Sequence, residues 1–250
     1  MTLIAILLPA TSPPAMLIWI IAALIILIIG LVLYWQLIVA EGAYLGAPLV
    51  ALLYDWTAER YNKIKEFEWE AEDFWVGEPL ARRLRRQPQA LVLDVATGTG
   101  RIPLTLLRQP SYQGQVIALD RASKMLAVAC RDLAEHRDWV TLIQADAMAL
   151  PFANNSFPVV TCLEVLEFLP NPAAGLAELI RVLKPATQTQ LDCGWLLTTQ
   201  RIGWEARLMP GKTWSQEQLL EILSRFPLKR VEIQIWQDIY NLVWAQKVER

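Results

Sequence analysis

Leu91-Val92-Leu93-Asp94-Val95-Ala96-Thr97-Gly98-Thr99-Gly100-Arg101 decides the fold of this chain. An apolar run carries an acid near its end, a glycine-spaced turn follows, and the residues after Arg101 take up a helical pattern. Gly98 and Gly100 let the backbone approach a ligand that a Cβ would block. A dinucleotide-binding turn is the obvious competitor. Its fingerprint needs a small residue three positions after the second glycine, where helix and strand pack closely, and this chain has Pro103 there. That fingerprint also lacks the strand-end acid that Asp94 supplies.

Outward from this turn, short apolar runs alternate with helical ones. Strands are expected at 90–96, 115–120, 140–146, 158–165 and 194–200, with helices near Ile102–Arg108, Lys124–Arg137 and Ala173–Leu183 between them. Strand–helix alternation predicts an α/β fold: a Rossmann-like, doubly wound, mostly parallel sheet with helices on both faces. The tail breaks the pattern. LKRVEIQIWQ (228–237) and IYNLVWAQKVE (239–249) lie a residue apart, which predicts an antiparallel hairpin at the C-terminal edge.

Acids recur at the strand ends. Asp120 closes IALD about 20 residues after the glycines, where a carboxylate can accept from two ribose hydroxyls. Asp146 closes the third run, in QADAMALPF. Then come LPFANNSFPVVTCLEVLEFLPNP and LAELIRVLKP. With the strand–acid–glycine turn, these segments resemble the methyltransferase type 11 family, which includes the ubiquinone and menaquinone biosynthesis methyltransferases. The resemblance covers roughly residues 75–225, with its specific motifs in 91–185.

The resemblance implies S-adenosyl-L-methionine as cofactor. It places Asp94, Ala96, Thr97, Gly98 and Gly100 around the cofactor's amino-acid moiety, Asp120 and Arg121 at its ribose, and Glu164 beyond the fourth strand. Asp146 would accept from the adenine amino group and Ala147 would offer its backbone N–H, with Leu150 and Phe152 near the base. The chain departs from the family pattern at five positions. Ala96 stands where many members have glycine, Pro158 where an acid is usual, Phe168 where histidine is common, and Ala186-Thr187 where glycines follow. They leave the implied cofactor contacts in place and bear on the acceptor.

Methyl transfer is an in-line displacement from an activated sulfonium, so positioning and a dry site carry most of the catalysis. Should the acceptor have to lose a proton, the candidates are Glu164, Glu167 and Tyr54, with Tyr44 and Tyr61 beside them. The single histidine, His136, lies in the charged stretch RDLAEHRD and reads as an exposed helix end. Two other function classes fit parts of the pattern: a catalytically inactive cofactor-binding or scaffold protein of the same fold, and a membrane-tethered NAD(P)-dependent oxidoreductase.

No charged side chain occurs before Glu41, and Ala15–Val39 is an apolar run bounded by Trp19 at one end and Tyr34 and Trp35 at the other. About 24 residues rising roughly 1.5 Å each reach about 36 Å, enough to cross a hydrocarbon core of about 30 Å. Rings at both ends suit the lipid–water boundary. The run is longer than a signal-peptide core and has no basic residues before it, which favours a transmembrane helix. The earlier apolar piece, Leu3–Leu8, is too short to span and is cut off by prolines. The expected division is a short segment 1–14, a transmembrane helix 15–40, a helical lead-in or cap 41–89, and a methyltransferase domain 90–250. Arginines and lysines follow the apolar run and none precede it, and S-adenosylmethionine is made in the cytosol, so the domain is expected to face the cytoplasm.

The formal net charge of -2 offers no basic field for nucleic acid. Cys130, Cys162 and Cys193 form no CxxC pair, so no metal is expected. The expected partners are the bilayer and a small-molecule acceptor, lipid or quinone-type.

Overall fold

The computed structural model describes residues 13–65, 68–187 and 193–249. The apolar piece read at Leu3–Leu8 lies outside them. The chain divides into two compact units, Met1–Glu41 and Gly42–Arg250. In the first, helix α1 (Pro13–Tyr34) continues into a π-helical turn at Trp35–Val39. Residues Met16–Val39 are long and apolar enough to cross a membrane; most of the stretch is exposed, with Gln36 and Val39 buried near its end.

The second unit opens with α2 (Ala47–Lys65), α3 (Trp69–Glu72), a π-helical turn (Asp73–Gly77) and α4 (Glu78–Arg83). Strands β1 (Val92–Val95), β2 (Val116–Asp120), β3 (Val140–Gln144), β4 (Val159–Cys162) and β5 (Trp195–Arg201) follow. Between and after them lie α5 (Arg101–Leu107), α6 (Ser123–Asp132), α7 (Pro172–Val182), α8 (Gly203–Arg207) and α9 (Gln216–Ser224). The chain ends in β6 (Leu228–Gln237) and β7 (Tyr240–Lys247). The expected strands and edge hairpin all form. The short helices α8 and α9 are not legible in the sequence pattern. A capping box, with Ser215 and Gln218 exchanging hydrogen bonds, starts α9.

The sheet order is β3-β2-β1-β4-β5-β7-β6. The first five strands are parallel, and β7 joins β5 antiparallel. The direction of winding reverses at β1, so its C-terminal end is the topological switch point where doubly wound sheets bind ligands. Strands β1, β4 and β5 are buried along their whole length, which explains their near-continuous apolar runs. Successive side chains alternate between two core layers. Leu93, Val95 and Val160 pack towards α7 and α9. Val92, Val116 and Val159 pack towards Leu80 and Leu84 in and after α4, and Ile102 and Leu106 of α5.

The arginine cluster after residue 81 is partly a packing device. Arg83 lies 3.8 Å from the centroid of the buried Trp244 ring and pairs with Glu232 at 2.6 Å. Pro103 costs α5 nothing: it is the third residue of the helix, where a backbone N–H has no helical acceptor.

Ala96, on the turn after β1, has φ +56°. That left-handed conformation crowds any Cβ, the physical reason a glycine suits this position. Ala96→Gly is expected to raise the unfolding free energy by up to about 1 kcal/mol, the relief of crowding less the added chain entropy of glycine. Urea denaturation of the two proteins checks it.

Candidate cofactor and acceptor site

The C-terminal ends of β1, β2 and β4 converge on one cleft enclosing about 770 Å³ of space, part of it open to solvent. Its floor carries Ala96, Gly98, Asp120 and Arg121. Ala145, Asp146 and Ala147 form one wall, Leu163, Glu164 and Phe168 another, and Tyr54 and Tyr61 of α2 the roof. A smaller recess of about 360 Å³ adjoins it, lined by Asp94, Thr97, Thr99, Arg101 and Glu164. The residues singled out from the sequence as cofactor contacts thus come together, although Gly100 does not line either space. Its Cβ position faces Leu133 instead, at 2.7 Å, so its role is close packing of α5 on α6.

The turn after β1 is tied to the end of β2. The Thr97 N–H donates to the Leu119 carbonyl at 2.9 Å, and the Gly98 N–H to Asp120 Oδ2 at 2.8 Å. Asp120 Oδ1 accepts from the Ala122 N–H at 2.8 Å. Each oxygen keeps a second lone pair for a hydroxyl donor. Burial raises the Asp120 carboxyl, against the hydrogen bonds from these amides. Asp94 takes a different part. Its Oδ1 accepts from the Thr161 hydroxyl of β4, while Oδ2 is buried without a hydrogen-bond partner. Burial pushes its carboxyl up to about 6. Asp146 pairs with Arg121 at 2.6 Å and accepts from the Met148 N–H at 2.9 Å.

Glu164 is the most heavily engaged side chain of the site. Arg101, the first residue of α5, donates to Oε1 at 2.9 Å, and Lys65, the last of α2, donates to Oε2 at 2.9 Å. Glu72 stands 3.7 Å from Arg101 on its other side. Burial alone would raise the Glu164 carboxyl, but the two cations outweigh it and hold it at about 2. Its backbone sits at φ +56°, and its N–H donates to the Thr199 hydroxyl of β5 at 2.7 Å.

Of the three residues named as candidate bases, Glu164 and Tyr54 line the cleft and Glu167 does not. Glu167 is buried behind it, where the Tyr240 hydroxyl of β7 donates to Oε1 at 2.5 Å and Arg201 stands 3.8 Å away. Tyr44 lies apart, donating to the Pro210 carbonyl at 2.9 Å. Leu150 and Phe152 belong to the core cluster rather than the cavity wall, Phe152 lying edge-on to Phe157. Sequence reasoning missed Arg101 and Lys65. A signal for Arg101 exists: a cation at the start of a helix opposes the helix dipole and calls for an acid partner.

Comparison with known proteins agrees with the fold. Residues 92–186 match the family model described as a methyltransferase domain. The demethylmenaquinone methyltransferase of Desulfitobacterium hafniense is 32% identical over 155 residues, 56% of this chain and 61% of that protein. The chain therefore spans about three-fifths of the length of that curated relative. Among solved structures, the [4+2]-cyclase SpnF superposes with a TM-score of 0.64 at 19% identity, covering 82% of this chain and 97% of that one. A SAM-dependent methyltransferase from Aquifex aeolicus gives 0.57 at 20% identity, covering 78% and 98%.

The fold is the one shared by the S-adenosylmethionine-dependent methyltransferase structure on which the chain superposes, and residues 92–186 within it carry the methyltransferase-domain match. The chain's sequence relatives include that demethylmenaquinone methyltransferase and a ubiquinone/menaquinone biosynthesis C-methyltransferase from Roseobacter denitrificans, 39% identical over 99 residues, 38% of each chain. The residues present fit the cofactor. An orphaned carboxylate oxygen of Asp94 borders the recess, and a Cβ at Gly98 would point into open space, with its nearest neighbour at Tyr61, 4.0 Å away.

The ionic junction predicts a pH-dependent stability. A carboxyl held below its unfolded value stabilises the fold above about pH 4.5, and that contribution is lost as pH falls towards 2. Glu164→Gln, which leaves Arg101 buried beside an uncharged partner, is expected to cost about 3 kcal/mol at pH 7. The cost should shrink towards pH 3, measured by denaturant unfolding at both pH values.

Proposed function

We propose that this protein transfers a methyl group from S-adenosylmethionine to an apolar, membrane-resident acceptor, with a quinone-type ring as the first candidate. The observation that carries the reading is the cleft at the switch point, where Asp94, Asp120 and Asp146 meet beneath a cap of aromatic side chains. The quinone-biosynthesis relatives support the acceptor class, and the apolar Met16–Val39 helix supports a membrane location. On this reading Met16–Val39 is the anchor, residues 41–89 are the cap, residues 90–250 form the catalytic domain, and that domain faces the cytoplasm.

When bound, the cofactor supplies a methyl group on a positively charged sulfur. The chain's own residues hold and shield it. Asp120 accepts from the ribose hydroxyls, and Asp146 and the Ala147 N–H meet the adenine edge. Gly98 gives the backbone room, and Asp94 attracts the positive amino-acid end. Tyr54, Tyr61 and Phe168 exclude water; the Tyr54 ring lies 5.9 Å from Tyr61 and 6.0 Å from Phe168, tilted and edge-on.

Neither glutamate of the LEVLEF segment suits a proton abstractor. Glu164 is held ionised by two cations, and Glu167 is enclosed by Tyr240 and Arg201. Catalysis on this reading is proximity and desolvation acting on an acceptor that is already nucleophilic. For a quinone-type ring that acceptor is the reduced, electron-rich quinol form, with the displaced ring proton passing to solvent after the transfer. A cofactor-binding protein that does not methylate is the second reading, and the same commitment of Glu164 and Glu167 favours it.

Three results are expected. Asp120→Ala, still folded, should bind S-adenosylmethionine about tenfold to hundredfold more weakly in calorimetry, the loss of a charge-assisted acceptor. Cofactor affinity should fall by up to about tenfold per pH unit below 6, because a cation binds the ionised form of Asp94 and protonation removes it. Asp94→Asn should abolish that dependence. Tritiated methyl from the cofactor should appear in an extractable membrane lipid. Tight cofactor binding without transfer into any membrane extract would favour the second reading instead.

A further inference from the structure

Helix α2 is apolar on two opposite faces. Ala47, Val50, Ala51, Tyr54 and Tyr61 face the cleft, and Ala58 packs with Met125 and Val128 of α6. Roughly half a turn away lies a second stripe, Leu49, Leu52, Trp56, Arg60 and Lys63, at steps of three and four residues. All five are exposed, Leu52 at 62% and Trp56 at 83%. A helix that already has its core-facing stripe gains nothing within this unit from a second apolar one. Tyr44, which precedes α2, bonds to Pro210, and just before Pro210 the segment of α8 exposes Trp204 and Leu208.

We infer that the Leu49–Leu52–Trp56 face of α2 is a membrane-docking surface that seats the roof of the cleft in the bilayer interface. This deepens the reading under Proposed function and rests on it for the source of the acceptor. The chemistry of the stripe selects the occupant. Its first half offers aliphatic side chains and an indole, which settle at the boundary between acyl chains and headgroups. Its second half offers two cations, Arg60 and Lys63, at the depth of lipid phosphates. The order along the chain points the same way: Ala47 opens α2 eight residues after Val39 closes the membrane-length helix. A single helix then touches lipid on one side and the cleft on the other, so an apolar acceptor passes around one helix without crossing water.

The test uses the full chain with Cys130→Ser, the other two cysteines being buried. An environment-sensitive fluorophore is attached at Leu52→Cys or Trp56→Cys. Gly30→Cys, in α1 where a Cβ meets nothing within 4 Å, reports on the anchor. Asp138→Cys, ahead of β3 and 88% exposed, reports on water. The proteins are reconstituted in phosphatidylcholine–phosphatidylglycerol vesicles containing spin-labelled lipid.

Docking predicts blue-shifted emission and quenching by shallow spin labels at positions 52 and 56, and neither effect at 138. Leu52→Asp with Trp56→Asp should keep the cofactor affinity and lose at least roughly tenfold in methylation of an acceptor held in vesicles. A quenched probe at 30 with water-like probes at 52 and 56 overturns the docking surface and leaves the anchor standing. Unquenched probes at all positions overturn both. A blue shift at 56 without lipid quenching means that protein covers the face, a second copy or another segment of the chain, and also overturns the proposal.

Discussion

The carboxylate of Glu164 joins parts of the domain that the chain makes far apart. It receives Lys65 from the end of α2 and Arg101 from the start of α5, and Glu72 stands on the far side of Arg101. These residues belong to the helices before β1, to the first helix after the glycine turn, and to the loop after β4. A buried ion pair of this kind adds little net stability over apolar packing, but removing one partner is costly. Its consequence is therefore positional. Glu164 ties the end of α2 to the strand ends, beside the packing of Ala58 on α6, and the two cations hold its carboxyl ionised.

The same junction shapes the chemistry available. A carboxylate bound on both oxygens by cations is a weak proton acceptor, and the second glutamate of the LEVLEF segment is engaged one layer deeper by Tyr240 and Arg201. The cleft is left with acids that accept hydrogen bonds and with aromatic side chains that exclude water. That combination suits a reaction driven by placement rather than by proton transfer.

Helix α2 carries a related economy. Its length allows two stripes, one over the cleft and one outward, and the outward stripe changes from apolar to cationic along its course. A surface with that gradient matches the layering of a bilayer interface, where acyl chains give way to phosphates.

The sequence by itself determined the sheet and the strand-end acids. Apolar runs of strand length, each followed by a helical pattern, allow little but a parallel α/β sheet, and glycine spacing with Asp94, Asp120 and Asp146 marks the edge where ligands bind. These signals are local and periodic, so they are legible without partners. Only the tertiary structure decided what each acid does. The turn is held by Asp120 as well as bordered by Asp94, because β2 lies beside β1 and brings that carboxylate to the Gly98 amide. Glu164 and Glu167 look alike in LEVLEF, yet one meets Lys65 and Arg101, and the other meets Tyr240 from the end of the chain. Those partners lie 99, 63 and 73 residues away, and no local pattern specifies a pairing over such distances; the packing of helices on the sheet does.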